Sequence, residues 1–339
     1  MSMTTMNAVR LHAFGGPEVL RYEKAAVPTI GAGEVRVRVH AASINPPDLY
    51  LRDGYQALPP EWRPDPVFPL IIGTDVSGVV EEVAGDVTDF AVGDEVFAMV
   101  RFPEALMTGS GAYAEVVRVA ASELAHKPAG IDHIHAAGAP MSLLTAWQFL
   151  IDLGHDAPNP FQGFRHQPVA LDGRTVVVNG AGGGVGHLAV QLAKWQGARV
   201  IAVASARHQA LMADLGADQF VDYTQTAAED VVQDADLVID AVGGENMARF
   251  LRMLKPGGAL FLVNPLGFAG QAEAKQRGIT VSSTQVRSNG PQLAQAGRLL
   301  DNGTVRVVVD RCFSLGDATG AHTYAIKRGI QGKIVLIVA

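Results

Sequence analysis

A short apolar run, Thr175–Asn179 (TVVVN), leads into Asn179-Gly180-Ala181-Gly182-Gly183-Gly184-Val185-Gly186, and an amphipathic stretch, His187–Gln196, follows directly. Glycines lack the Cβ atoms that hold a backbone away from a phosphate, and a helix start offers unpaired N–H groups at the positive end of its dipole. Gly182, Gly183, Gly184, Val185 and Gly186 are therefore candidate phosphate-contacting residues, with Gly186 also letting helix and strand pack closely. The strict G-x-G-x-x-G pattern is not met, because Ala181 holds its first place. The strand–turn–helix setting restores the motif's force, and the expectation is a dinucleotide.

About twenty residues past such a turn, NAD-binding chains place Asp or Glu against the ribose 2′-hydroxyl. Here Ser205-Ala206-Arg207 occupies that place. A carboxylate would repel a 2′-phosphate, whereas a hydroxyl and a guanidinium bind it through charge-assisted hydrogen bonds. NADPH is the expected cofactor. A solvated helix-start arginine is the plainer reading of Arg207, but the positive helix end disfavours a cation there and weighs toward a bound anion.

The chain has a single cysteine, Cys312. Intrachain disulfides are excluded, and so is any zinc site built on two or more cysteines. Cys312 lies in the apolar run Val307–Leu315 and is expected as a core thiol. The formal net charge of −7 argues against nucleic acid as the main partner. No uninterrupted apolar run approaches the roughly 18–20 residues that span a bilayer. The first residues lack a signal-peptide pattern, so a cytoplasmic location is expected.

The elements that must position these residues fall into two kinds. With 339 residues, 48% hydrophobic and 18% charged, the chain is globular and long enough for two domains. Its first third is strand-rich: Glu34–His40 alternates strictly, and short β runs follow at Leu70–Ile72, Val76–Val83 and Glu95–Val100. Ala57–Pro69 reads as a proline-rich loop, and His135–Leu153 as a helix. Gly154–Gln167 reads as a surface loop whose His155 and His166 have no partners suited to a metal site. From Gly173 the rhythm becomes strand–helix alternation, the mark of a parallel, doubly wound sheet. After a helix near Gln292–Leu300, the tail returns to strands at Val305–Val309 and Lys333–Val338.

Asn45-Pro-Pro-Asp48, Gly73-Thr-Asp-Val-Ser-Gly78, Val92-Gly-Asp-Glu-Val96, Gly180–Gly186, Leu254-Lys-Pro-Gly-Gly258 and Gly332-Lys-Ile-Val335 stand in this order along the chain. Together they resemble the medium-chain dehydrogenase/reductase superfamily, in its zinc-free quinone oxidoreductase (zeta-crystallin-like) branch. The resemblance implies an α/β fold in which a doubly wound Rossmann domain, residues 141–284, is inserted into a discontinuous β-rich GroES-like domain, residues 1–140 plus 285–339. Zinc members of that superfamily carry a catalytic cysteine in the segment matching Ile44–Asp48 and a four-cysteine loop; this chain has neither. The resemblance also implies a homodimer or homotetramer.

Carried over residue by residue, it places Asn45, Thr145, Asn264 and Lys333 at the nicotinamide end. Ser205, Arg207 and Tyr223 fall at the 2′-phosphate and adenosine end, and Val242-Gly243 near a cofactor ribose. Plainer roles exist for several: a turn bond for Asn45, a helix cap for Asp48, a bond to its own backbone for Thr145, a strand-edge charge for Lys333. The implied activity is NADPH-dependent quinone reduction by hydride transfer from nicotinamide C4. Reduction of α,β-unsaturated carbonyls uses the same geometry, and a non-catalytic NADPH-binding protein is a third reading. Tyr50, and secondarily Tyr55, are candidates to donate a hydrogen bond to the developing oxyanion, with ordinary packing as the alternative.

Overall fold

Val35, Val37 and Val39 alternate with Arg36, Arg38 and His40, and the valines are wholly buried while Arg38 faces solvent. That pattern fixes Glu34–Ser43 as the strand around which the first sheet forms. It pairs antiparallel with Asp75–Val83, Val116–Ala120 and Lys333–Ile337, the last of which lies parallel to Val309–Ser314. The C-terminal strands thus return to the sheet begun in the first third. A smaller sheet, Leu20–Ala26, Thr5–Leu11 and Leu70–Ile71, completes this β-rich part. The computed structural model describes residues 4–63, 65–102, 110–157, 165–327 and 329–338.

The second sheet is parallel, in the order Gln219–Asp222, Arg199–Ala204, Thr175–Asn179, Ala235–Asp240, Leu254–Leu262, Thr280–Ser282. Val176, Val177 and Val178 of its inner strand are all buried, as a strand covered on both faces requires. The strand order reverses beside Thr175–Asn179, at whose carboxyl end the glycine turn lies. In open α/β sheets such a switch point is where ligands bind. The helix after the turn runs Gly184–Trp195, so Gly184 and Gly186 sit in its first turn, earlier than the apolar periodicity from His187 implied.

Three local expectations change. The helix expected over His135–Leu153 is two, His133–Gly138 and Pro140–Leu150, because Pro140 has no N–H to continue the first. The strand expected at Val305–Val309 starts only at Val309. Its preceding backbone spends its hydrogen bonds on side chains of the Gly184–Trp195 helix instead: Arg306 N on Gln191 Oε1 at 2.8 Å, and Val308 N on His187 Nε2 at 3.1 Å. Cys312 is exposed, since it points outward from the edge strand Val309–Ser314. Residues 158–164 of the loop read at Gly154–Gln167 lie outside the described residues; His166 is buried, with Nδ1 bonded to Ser282 Oγ and Nε2 to the Phe149 carbonyl.

Candidate functional site

Gly180 adopts φ +75°, which favours glycine, and Val242 packs where its Cβ would be. A Cβ on Gly186 would overlap the Gly180 carbonyl and come within 2.7 Å of Ala181 Cα, so helix and strand touch backbone to backbone. Gly183 is different: its Cβ would meet only the Gly180 oxygen, at 3.4 Å, and the space in front of it is open. Gly183 is also the helix N-cap and supplies no side-chain cap, so the first N–H groups of the helix keep their capacity to bind an anion. Asn179 Nδ2 donates to Asp240 Oδ1 at 2.7 Å, and the same carboxylate accepts from Val242 N at 3.0 Å and Gly243 N at 3.2 Å. This clamp holds Val242-Gly243 beside the turn, and Asn264 in turn packs on Gly243.

Ser205 follows the strand Arg199–Ala204, and its side chain does not cap the short turn Ala206–His208. Arg207 is exposed, with its guanidinium against Gly329 and its carbonyl accepting from Gln331 Nε2 at 3.0 Å. Tyr223 is exposed beside them, its N–H on the Ala204 carbonyl at 3.2 Å. The carboxylate of the neighbouring Asp222 is engaged by Thr224, through Oγ1 at 2.7 Å and N at 3.0 Å. His208 is buried against Gly182, and its Nδ1 has no hydrogen-bond partner. Burial and then Arg207 lower its pKa. An orphaned ring nitrogen under an open glycine turn, next to an exposed guanidinium, fits a phosphate-bearing ligand.

At the other end of the turn the structure brings Lys333 and Asn45 together. Lys333 Nζ donates to Asn45 Oδ1, lies 3.5 Å from Asp75 Oδ2 and 3.3 Å from Ser142 Oγ, and its side chain packs on Gly184. Asp75 is fully buried and accepts from Ser43 Oγ at 2.9 Å, Asn45 Nδ2 at 2.8 Å and Met141 N at 2.8 Å, the last in the first turn of Pro140–Leu150. Burial pushes the Asp75 carboxyl up and the Lys333 ammonium down, and each is partly held back by the other's charge. Lys333 is therefore a buried amine facing the turn and not a strand-edge charge.

Asn45 is the N-cap of the helix Pro46–Asp53, and Asp48 Oδ2 reaches back to Asn45 N at 2.8 Å, the reciprocal arm of a capping box. Thr145 Oγ1 donates to the Met141 carbonyl at 2.6 Å, the bond to its own backbone. Tyr50 is 42% exposed on the Pro46–Asp53 helix, 6.0 Å from the ring of Tyr55. Burial, then Asp53, raises the Tyr50 phenol above its ordinary value, so it keeps its proton at neutral pH. Sequence reasoning missed Asp75, Ser142 and Asp240 as partners in these clusters. Only for Asp75 was there a signal: a carboxylate opening a strand whose next residues, Val76 to Val80, carry no charge. Among the described residues no group of three or more His, Cys, Asp or Glu side chains could hold a metal ion, and no helix is long and apolar enough to cross a membrane.

A parallel sheet with a glycine turn at its switch point, joined to a β-rich part that offers a buried lysine to that turn, defines the class. The chain belongs to the medium-chain dehydrogenase/reductase superfamily, in its quinone oxidoreductase-like branch, and is an NAD(P)H-dependent oxidoreductase. Residues 31–129 match the alcohol dehydrogenase GroES-like domain and residues 215–336 the zinc-binding dehydrogenase domain. The chain is 33% identical over 368 residues to the mitochondrial NAD(P)H oxidoreductase RTN4IP1 of Mus musculus, covering 98% of this chain and 89% of the relative. It is 32% identical to the chloroplastic NADPH-dependent alkenal/one oxidoreductase of Arabidopsis thaliana, over 95% of this chain and 77% of the relative. The solved quinone oxidoreductase of Coxiella burnetii superposes with a TM-score of 0.84 at 30% identity, over 99% of this chain and 100% of that one.

Proposed function

We propose that the chain reduces quinones with NADPH, without zinc. The observation that carries this reading is the pairing of two ends across one open turn. Ser205 and Arg207, and no carboxylate, stand just past the end of the Arg199–Ala204 strand, which favours a 2′-phosphate there, while Asn45 and Lys333 converge beyond Gly184. Bound there, NADPH would supply a hydride from nicotinamide C4. The turn amides of Gly182–Gly186 bind the pyrophosphate, with Tyr223 beside the adenosine and Val242-Gly243 beside a ribose. Asn45, Thr145, Asn264 and Lys333 orient the nicotinamide end. Tyr50 keeps its proton and donates a hydrogen bond to the oxygen on which charge develops as the acceptor is reduced. The 141–284 domain division, the cytoplasmic location and a homodimer or homotetramer belong to the same proposal; the RTN4IP1 relative is named as mitochondrial.

A second reading, reduction of α,β-unsaturated carbonyls, is favoured by the Arabidopsis relative named as an alkenal/one oxidoreductase. Loss of NADPH absorbance is measured with a quinone, with an enone and with buffer alone, and the products are identified by mass. Turnover with the quinone supports the leading reading. Turnover with the enone alone transfers the function to the second, and tight NADPH binding without oxidation by either replaces both with a binding protein.

A further inference from the structure

Beneath the Asn45–Lys333 cluster lies a second buried polar group that hydride transfer does not use. Arg52 Nη1 is 3.2 Å from His322 Nδ1, His322 Nε2 is 3.3 Å from Tyr113 Oη, and Tyr113 Oη is 3.3 Å from Asp48 Oδ2. All four side chains are buried, and the Tyr113 and His322 rings meet edge to face at 5.7 Å. Chemistry fixes the direction of this chain. A guanidinium has only donors, so His322 Nδ1 accepts and its proton resides on Nε2. Nε2–H then donates to the Tyr113 oxygen, which leaves the Tyr113 hydroxyl proton for Asp48. His322 stays neutral, because burial and then Arg52 depress its pKa to about 3.

Asp48 is where the chain ends. Its Oδ2 accepts from Tyr113 and from Asn45 N, while its buried Oδ1 has no partner. Asp75 opposes its ionisation, Lys333 favours it, Tyr113 donates to it and Tyr55 lies within reach of its charge, while Arg52 and neutral His322 reach it only through Tyr113. We propose that Tyr113 and His322 are positioning residues for this site: their one-way hydrogen-bond chain favours the ionised form of Asp48, and that carboxylate fixes Asn45 and, through it, Lys333. The consequence for turnover rests on Asn45 and Lys333 serving the nicotinamide end; the chain itself does not. Burial, the largest influence, with Asp75 raises Asp48 to about 7, so a lost donor acts where it can be measured.

The test is thermal stability against pH, which needs no substrate. A carboxyl whose folded pKa is raised contributes fully below its unfolded value and loses that contribution as pH climbs through the folded one. Tyr113→Phe removes one donor to the ionised form, so its deficit against the parent widens from about pH 5.5 to about pH 8.5, by on the order of tenfold in the unfolding equilibrium constant. In an Asp48→Asn background the same substitution costs the same at every pH. His322→Leu reproduces the widening, and His322→Gln, which can still accept from Arg52 and donate to Tyr113, restores most of it. A deficit of constant size across the range in both Tyr113→Phe and His322→Leu overturns the proposal. In NADPH oxidation the acid limb of the pH profile moves upward in Tyr113→Phe. A limb unmoved while the thermal signature is present overturns the positioning role, whereas a parent without turnover overturns only the proposed function.

Discussion

The Lys333 ammonium lies 3.5 Å from the Asp75 carboxylate, and both side chains are almost completely withdrawn from water. The pair joins the last strand of the chain to Asp75–Val83, and through Met141 to the helix Pro140–Leu150. Removing one partner leaves the other buried and uncompensated, which is the costly way to break a buried pair. Lys333→Met is expected to lower unfolding free energy by about 3–5 kcal/mol in a denaturant titration. The double substitution with Asp75→Asn should recover a large part of that loss.

The glycine turn separates folding from binding. Gly186→Ala forces a Cβ into the Gly180 carbonyl and should cost about 1–3 kcal/mol of stability through overpacking. Gly183→Ala meets nothing closer than 3.4 Å and keeps an extended backbone at φ −87°, so its thermal midpoint should match the parent. Its NADPH affinity should nonetheless fall on the order of tenfold, as the new methyl group occupies the phosphate's approach. Equal affinities for Gly183→Ala and the parent would remove the phosphate from this turn.

Cofactor choice should rest on the exposed Arg207 and its neighbour Ser205. Arg207→Ala is expected to weaken NADPH by about 10- to 100-fold, the worth of a hydrogen bond to a charged group, with NADH changed little. Ser205→Asp should reverse the preference by placing a carboxylate where the 2′-phosphate would lie. Fluorescence titration with both cofactors reads each result, and a parent that binds them equally well sinks the argument.

Cys312 stands on the outer face of an edge strand, so the folded protein should react with a thiol reagent at its single cysteine. Burial, and then Asp132, raise its pKa, so the reaction should be slow at neutral pH and quicken roughly tenfold per pH unit below that value. A thiol that labels only after denaturation would contradict this placement.

Much was legible in the chain itself. Local backbone requirements are written in residue type, so the glycine turn, the buried parallel strand Thr175–Asn179 and the alternating strand Glu34–Ser43 could be read directly. The break at Pro140 has a local cause, the missing N–H, whereas the tail at Val305–Val308 was misread because there the backbone's partners are distant side chains, Gln191 and His187. Cys312 was misread because an apolar run does not say which face of an edge strand meets solvent.

The sequence by itself determined the class of fold, the glycine turn between strand and helix, and the absence of a carboxylate at Ser205-Ala206-Arg207, all of which are legible from neighbours a few positions apart. Only the tertiary structure decided that Lys333 is buried and faces the glycine turn. Its partners Asn45 and Asp75 lie some hundreds of positions away in the chain, and a charge is driven neutral or kept by whatever folding places within a few ångströms of it.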